Sequence, residues 1–158
     1  MNRSINYKIL LPAVALPLLL GALAAFLVKD GFGLYAMLYK PLLAPPGALF
    51  PVVWFILYVL MGVASYLVIN SEASSQRKKR ALKLYGAQLV LNFLWPILFF
   101  GMEAFGLALV CALLLFLAVI LCYVLFAHIS QTAGLLLLPY IIWLLFAVYL
   151  NMGVLLLN

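Results

Sequence analysis

The chain has 158 residues, of which 70% are hydrophobic and 8% charged, with nine Lys/Arg against three Asp/Glu and a formal charge of +6. A water-soluble domain is about half apolar and about a quarter charged, so this composition cannot cover a solvated surface and defines an integral membrane protein. Alternating apolar and polar strands of the outer-membrane barrel kind are absent, and the positive charges cluster at the edges of apolar runs, where membrane topology accounts for them without a nucleic-acid partner.

A hydrocarbon core of about 30 Å needs roughly 20 helical residues per span. Four breaks in the apolar pattern leave five spans, and the reading is a single all-α transmembrane domain, 1–158, with a long structured first loop. The first span is expected over residues 9–28, with Pro12 and Pro17 inside it and a small-residue pair at Gly21 and Ala25 that permits close helix approach. It follows Arg3 and Lys8, but it is long and lacks a clear cleavage pattern, so it is taken as a retained span.

The stretch Tyr35-Ala36-Met37-Leu38-Tyr39-Lys40-Pro41-Leu42-Leu43-Ala44-Pro45-Pro46 comes next. Its prolines forbid a continuous helix, yet its side chains are aromatic and aliphatic, so it must bury itself. The expectation is a stiff, non-helical loop that folds over the mouth of the helix bundle and closes a pocket.

The second span is expected at 49–69, with Pro51 in its first turn and Trp54, Tyr58, Met61 and Ser65 on one face. Residues 70–81 read as a loop carrying Arg77-Lys78-Lys79-Arg80, a topology anchor and lipid-headgroup contact. The third span, 82–100, places Gln88, Asn92, Trp95 and Phe99 on one face, and Pro96 should bend it. Amides in hydrocarbon are costly unless bonded, so Gln88 and Asn92 should face inward, as a helix clamp, a ligand contact, or both.

The fourth span, 104–127, repeats Ala104, Ala108 and Ala112 as a seam for close packing, within the bundle or between subunits, and ends at His128, read as a solvated cap. Cys111 and Cys122 lie about three turns apart, too far to bridge, and read as free buried thiols. The fifth span, 133–156, carries Tyr140, Trp143, Ala147 and Asn151 on one face, suited to bundle packing or to a pocket wall.

Seven positive charges (Arg3, Lys8, Arg77, Lys78, Lys79, Arg80, Lys83) fall on one side of the membrane and two (Lys29, Lys40) on the other. By the positive-inside rule the N-terminus is cytoplasmic in a bacterial cell membrane, with the proline loop and the C-terminal end outside.

The proline stretch followed by Pro51-x-x-Trp54-x-x-x-Tyr58-x-x-Met61-Gly62 resembles the first loop and second helix of the translocator protein family. That family holds the bacterial tryptophan-rich sensory proteins and the mitochondrial peripheral benzodiazepine receptor. Gln88-Leu89-x-Leu91-Asn92-x-x-Trp95-Pro96-x-x-Phe99-Phe100-Gly101 and Pro139-Tyr140-x-x-Trp143-x-x-Phe146-Ala147-x-x-Leu150-Asn151 resemble its third and fifth helices, so the likeness spans nearly the whole chain.

The resemblance implies a five-helix bundle, a homodimer, and a pocket under the first loop that takes porphyrins, sterols and synthetic benzodiazepine-type ligands. Carried over, the pocket would use Tyr35 and Pro45 of the loop, Trp54 and Tyr58, then Asn92, Trp95 and Phe99, and finally Trp143 and Ala147. A haem-like tetrapyrrole is a ligand on this reading and no cofactor is required; membrane lipid is the other partner. A mitochondrial outer membrane would be the host if the source were eukaryotic. The chain departs from the family pattern in having Leu34 and Leu42 or Leu43 where tryptophans are usual, and Cys111 where the fourth helix commonly has an acid. No Lys or Arg follows Lys83, so the C-terminal sterol motif of the animal members is missing.

The functional expectation is a receptor or sensor for porphyrins, with a role in their transport. The alternatives are a light-dependent porphyrin-degrading enzyme, disfavoured because the spans offer no acid, base, nucleophile or metal set, and a structural membrane protein without a ligand.

Overall fold

The computed structural model describes residues 5–158, and Arg3 of the charge count lies outside the described residues. Five helical segments are long and apolar enough to cross a membrane: Tyr7–Leu27, Leu49–Ile69, Ser75–Gly101, Phe105–Ala127 and Gln131–Leu157.

Helix α1 (Tyr7–Leu27) contains Pro12 and Pro17 without interruption. The backbone N–H of Asn6 donates to the Tyr66 hydroxyl at 3.1 Å, which fixes the start of α1 beside the end of the next span. Most of α1 faces outward; Leu11, Leu19 and Phe26 are all exposed. Its grip on the bundle comes from glycine. A Cβ on Gly62 would lie 2.5 Å from the Val14 Cα, so only the absence of a side chain lets the two backbones meet there. Gly21, expected as one half of a small-residue pair, makes room for a ring instead: a Cβ there would lie 2.1 Å from the Tyr58 ring.

After a 3-10 turn at Lys29–Gly31 comes the short helix α2 (Phe32–Met37). The proline stretch is therefore helical over its first three residues, Tyr35 to Met37, and turns extended only at Leu38, as its prolines approach. Lys40 makes the short helix tenable. Its ammonium donates to the Tyr35, Leu38 and Ala36 carbonyls at 2.9, 3.1 and 3.4 Å, covering the orphan acceptors at the helix end.

Helix α3 (Leu49–Ile69) has the bounds expected from the sequence. The next element does not. Helix α4 (Ser75–Pro96) begins seven residues earlier than expected, so Arg77 to Arg80 form its first turns rather than a loop. Ser74 supplies the reason: its hydroxyl accepts from the Arg77 N–H at 3.5 Å, and Lys and Arg are good helix formers outside the hydrocarbon. The Lys78 ammonium donates to the Ile69 and Ser71 carbonyls at 3.2 and 3.1 Å and caps α3.

Beyond Pro96 the helix widens into a π-helical turn, Ile97–Gly101. This is how the chain accommodates the missing amide proton: it changes hydrogen-bond register where a bend alone was expected. A tight connection follows, with Glu103 at φ 53°.

Helix α5 (Phe105–Ala127) carries the alanine seam. Ala108 and Ala112 are buried within this one chain, Ala108 against Phe99 and Val154, so these two are taken up inside the bundle. His128 caps the helix, its Nδ1 donating to the Val124 carbonyl at 2.7 Å. Cys111 and Cys122 are buried free thiols.

The last span is broken. Helix α6 (Gln131–Leu135) stops, and α7 (Leu138–Leu157) restarts with Pro139 at its second position. The proline ring would clash with the carbonyl of Leu135, four residues back, so one continuous helix over 133–156 is not formed. The main core joins α3, α4, α5 and α7 through residues such as Leu57, Met61, Leu89, Leu115, Phe126, Tyr140 and Leu144.

Candidate ligand cavity under the first loop

From the Gly62 contact towards the first loop, α3 presents its rings towards α1, and a cavity of about 740 Å³ lies beside them. Its lining includes Leu18, Gly21, Ala22 and Ala25 of α1; Phe32, Tyr35 and Gly47 of the loop; Phe50, Trp54 and Tyr58 of α3; Asn92 and Trp95 of α4; and Phe100 of the π-helical turn. None of the lining side chains is charged.

Aromatic contacts fix the wall. The Trp54 and Tyr58 ring centroids are 5.5 Å apart, Tyr35 meets Phe50 edge-on at 5.3 Å, and Phe32 meets Phe100 at 5.7 Å. Of the nine expected pocket residues, Tyr35, Trp54, Tyr58, Asn92 and Trp95 line this space. The other four stand outside its lining. The Pro45 carbonyl accepts from the Tyr35 hydroxyl at 3.0 Å and so holds the ring in place. Phe99 stacks on Trp95 at 5.2 Å and is buried. Trp143 lies edge-on to Phe50 at 5.9 Å, and Ala147 is buried on α7. Helix α7 contributes no lining residue and meets the wall from behind it, Trp143 touching Phe50 and Tyr140 touching Trp54 at 6.0 Å.

Sequence reasoning did not single out Phe32, Gly47, Phe50 or Phe100 as lining residues. Gly21 carried a signal, since a glycine facing a large ring on the next helix is a place where a helix pair can be pried open.

The roof is stapled to α7. Asn158 and Tyr39 exchange a reciprocal pair of bonds, the Tyr39 N–H to Asn158 Oδ1 at 3.1 Å and Asn158 Nδ2 to the Tyr39 carbonyl at 3.0 Å. The Tyr149 hydroxyl donates to the Leu42 carbonyl at 2.5 Å. Pro41 sits on Gly153, where a Cβ would come within 2.4 Å of its ring. Lys40 lies 5.1 Å above the Tyr35 ring, a cation-π contact over the roof. Burial raises the Tyr35 phenol above its ordinary value of 10.0.

Beneath the cavity the polar groups are bonded to one another. Tyr58 donates to Asn92 Oδ1 at 2.9 Å, Asn92 Nδ2 donates to the Tyr140 hydroxyl, and Tyr140 donates to Gln88 Oε1 at 3.2 Å. Trp95 Nε1 donates to Asn151 Oδ1 and Asn151 Nδ2 to the Phe105 carbonyl, both at 3.0 Å. The interior amides are therefore helix clamps, and Asn92 is also part of the wall. Among the described residues no three His, Cys, Asp or Glu side chains come together as metal ligands would.

A bundle of five apolar spans with an uncharged, largely aromatic cavity beneath its first loop defines an integral membrane protein. The TspO/MBR family matches residues 13–157, and the chain belongs to that family. It is 38% identical over 156 residues to the tryptophan-rich protein TspO of Chlorobaculum tepidum, covering 97% of this chain and 99% of that one. It is 39% identical over 124 residues to the tryptophan-rich sensory protein of Cereibacter sphaeroides, covering 78% and 76%. It is also 39% identical over 145 residues to the translocator protein of Bos taurus, covering 89% and 86%.

Proposed function

We propose that this protein is a membrane receptor or sensor that binds a porphyrin or a related flat hydrophobic molecule in the cavity beneath the first loop. The observation that carries the reading is the chamber itself. Its volume of about 740 Å³ falls within the range of small-molecule sites, and its rings offer faces for offset stacking with a planar macrocycle. The names of the relatives, a sensory protein and a translocator protein, support the same class. No charged side chain lines the space, so the carboxylates of a porphyrin would stay at the mouth, in water.

The output follows from population shift. A ligand that touches both the roof and α3 stabilises the roofed state over the open one, and partners read the difference. On the same reading the protein is a multi-pass homodimer of a bacterial cell membrane, with Lys8, Arg77, Lys78, Lys79, Arg80 and Lys83 on the cytoplasmic side. Passage of the ligand between leaflets is a role the same cavity could serve.

The test is quenching of tryptophan fluorescence by protoporphyrin IX in lipid nanodiscs. Wild-type protein should show saturable quenching, and a Trp54→Ala, Trp95→Ala variant should lose at least tenfold in affinity while remaining folded by circular dichroism. Equal saturation curves for the two proteins would remove the reading.

A further inference from the structure

The geometry points to a chemical preference at the cavity floor: Tyr58 presents lone pairs and no proton, so the floor favours an uncharged hydrogen-bond donor on the ligand. The inference rests on the ligand reading above and adds the kind of group that the floor prefers.

The polar chain is oriented from its far end. Gln88 Nε2 lies 3.8 Å from Met61 Sδ, and both residues are buried. A thioether can only accept, so the amide nitrogen of Gln88 must face the sulfur. That leaves Gln88 Oε1 towards Tyr140, whose hydroxyl must then donate to it, at 3.2 Å. With its own proton committed, Tyr140 can only accept from Asn92 Nδ2. Asn92 in turn shows Oδ1 to Tyr58, which donates at 2.9 Å. Each link fixes the next, and one acceptor-only sulfur sets the sense of the whole relay.

The reverse sense would place Gln88 Oε1 against sulfur, acceptor facing acceptor. At the cavity end the consequence is definite. Tyr58 lines the cavity, and its single proton is taken. Its oxygen can still accept. A ligand N–H or O–H gains a bond there, whereas an ether or carbonyl oxygen meets a lone pair or must break the Tyr58–Asn92 bond. Tyr35 and Trp95 likewise commit their protons, to the Pro45 carbonyl and to Asn151. Trp54 keeps its indole proton, but one turn nearer the mouth than Tyr58. With no cationic side chain in the lining, a carboxylate is excluded from the floor.

Three planar probes of nearly equal shape separate the alternatives: carbazole, which donates; N-methylcarbazole, which does not; and dibenzofuran, which accepts. Their affinities are read by tryptophan fluorescence in nanodiscs, with protoporphyrin IX alongside. Wild-type protein should bind carbazole about tenfold more tightly than either of the others. Tyr58→Phe should bring that ratio below about two. Met61→Leu conserves volume but removes the acceptor that orients Gln88, so the relay loses its fixed sense and the ratio should fall likewise. A packing defect alone would weaken all three probes together and leave the ratio unchanged.

Equal affinities, or none, for the three probes in a wild-type protein that still binds protoporphyrin overturn this inference and spare the receptor reading. Loss of protoporphyrin binding as well removes both. A ratio that survives in Tyr58→Phe overturns the role of Tyr58, and one that survives only in Met61→Leu overturns the part given to Met61.

Discussion

Two helix pairs in this bundle are built from much the same apolar residues, and one borders a cavity of about 740 Å³ while the other buries its facing positions. Along α5 and α7 the buried positions run Ala108, Ala112, Leu115, Val119 on one helix and Tyr140, Leu144, Ala147, Val154 on the other. Small residues there are spread along the helices between larger ones, and both kinds are buried. Along α1 and α3 the closest approach is gathered at Gly62, and the roofward half of the pair has the rings of Phe50, Trp54 and Tyr58 standing between the helices. Hydropathy is indifferent to this distinction. Whether a membrane helix pair is hollow depends on how side-chain volume is distributed along the crossing.

The contrast is broken most severely at Gly62. Gly62→Val drives a side chain into the α1 backbone, and the two helices must separate. We expect a loss of about 3 kcal/mol, at the upper end of overpacking costs, read as a large drop in melting temperature in detergent.

The same enlargement should have opposite effects in the two pairs. Ala112→Leu adds volume where Ala112 is 2% exposed and should cost about 2 kcal/mol. Ala25→Leu adds the same atoms to the cavity and should leave the melting temperature nearly unchanged while lowering porphyrin affinity at least tenfold. Equal destabilisation by both would show that α1 and α3 are as filled as α5 and α7.

Asn151→Leu removes the bridge from Trp95 to the Phe105 carbonyl and leaves both groups unpaired. About 1.5 kcal/mol of stability should go with it, measured by thermal unfolding, and Trp95 emission should shift as its indole N–H loses its partner.

Tyr149→Phe breaks one of the bonds that hold the roof to α7. Global stability should change by under about 1 kcal/mol, and the dissociation rate of protoporphyrin should rise severalfold in stopped-flow measurements.

The smallest effect concerns pH. Burial raises the Tyr35 phenol, so the roofed state holds its proton more tightly than the open state does. The contribution to roof closure is complete below pH 10 and is lost as pH rises through the folded value, because only the open form gains by releasing the proton. Ligand affinity should therefore fall above pH 10, and less steeply in Tyr35→Phe.

The sequence carried the five spans because hydrocarbon thickness dictates their length, and α3 matched at both ends because a loop proline run precedes it and Asn70-Ser71 follow it. The stripe on α3 and α4 was also legible, since one helix face is a matter of spacing alone; Trp54, Tyr58, Asn92 and Trp95 all reach the cavity lining. Two boundaries were not. Hydropathy ends where charge begins, but a helix does not, so the start of α4 at Ser75 lay outside the apolar signal. The break before Pro139 was hidden by the apolar run around it. The place of Trp143 and Ala147 was illegible for a different reason. Spacing gives a residue's neighbours on its own helix, and the ring of another helix, Phe50, decides whether that face meets the cavity.

The cover of the chamber is fastened by Tyr149, Gly153 and Asn158, all on or just beyond the last helix, which contributes nothing to the chamber's lining. Latch and lock are thus separate parts. On the proposed function, substitutions that retune which guest is held can accumulate on one side of the protein without disturbing how long the door stays shut, and changes in the fastening can alter residence time without altering choice.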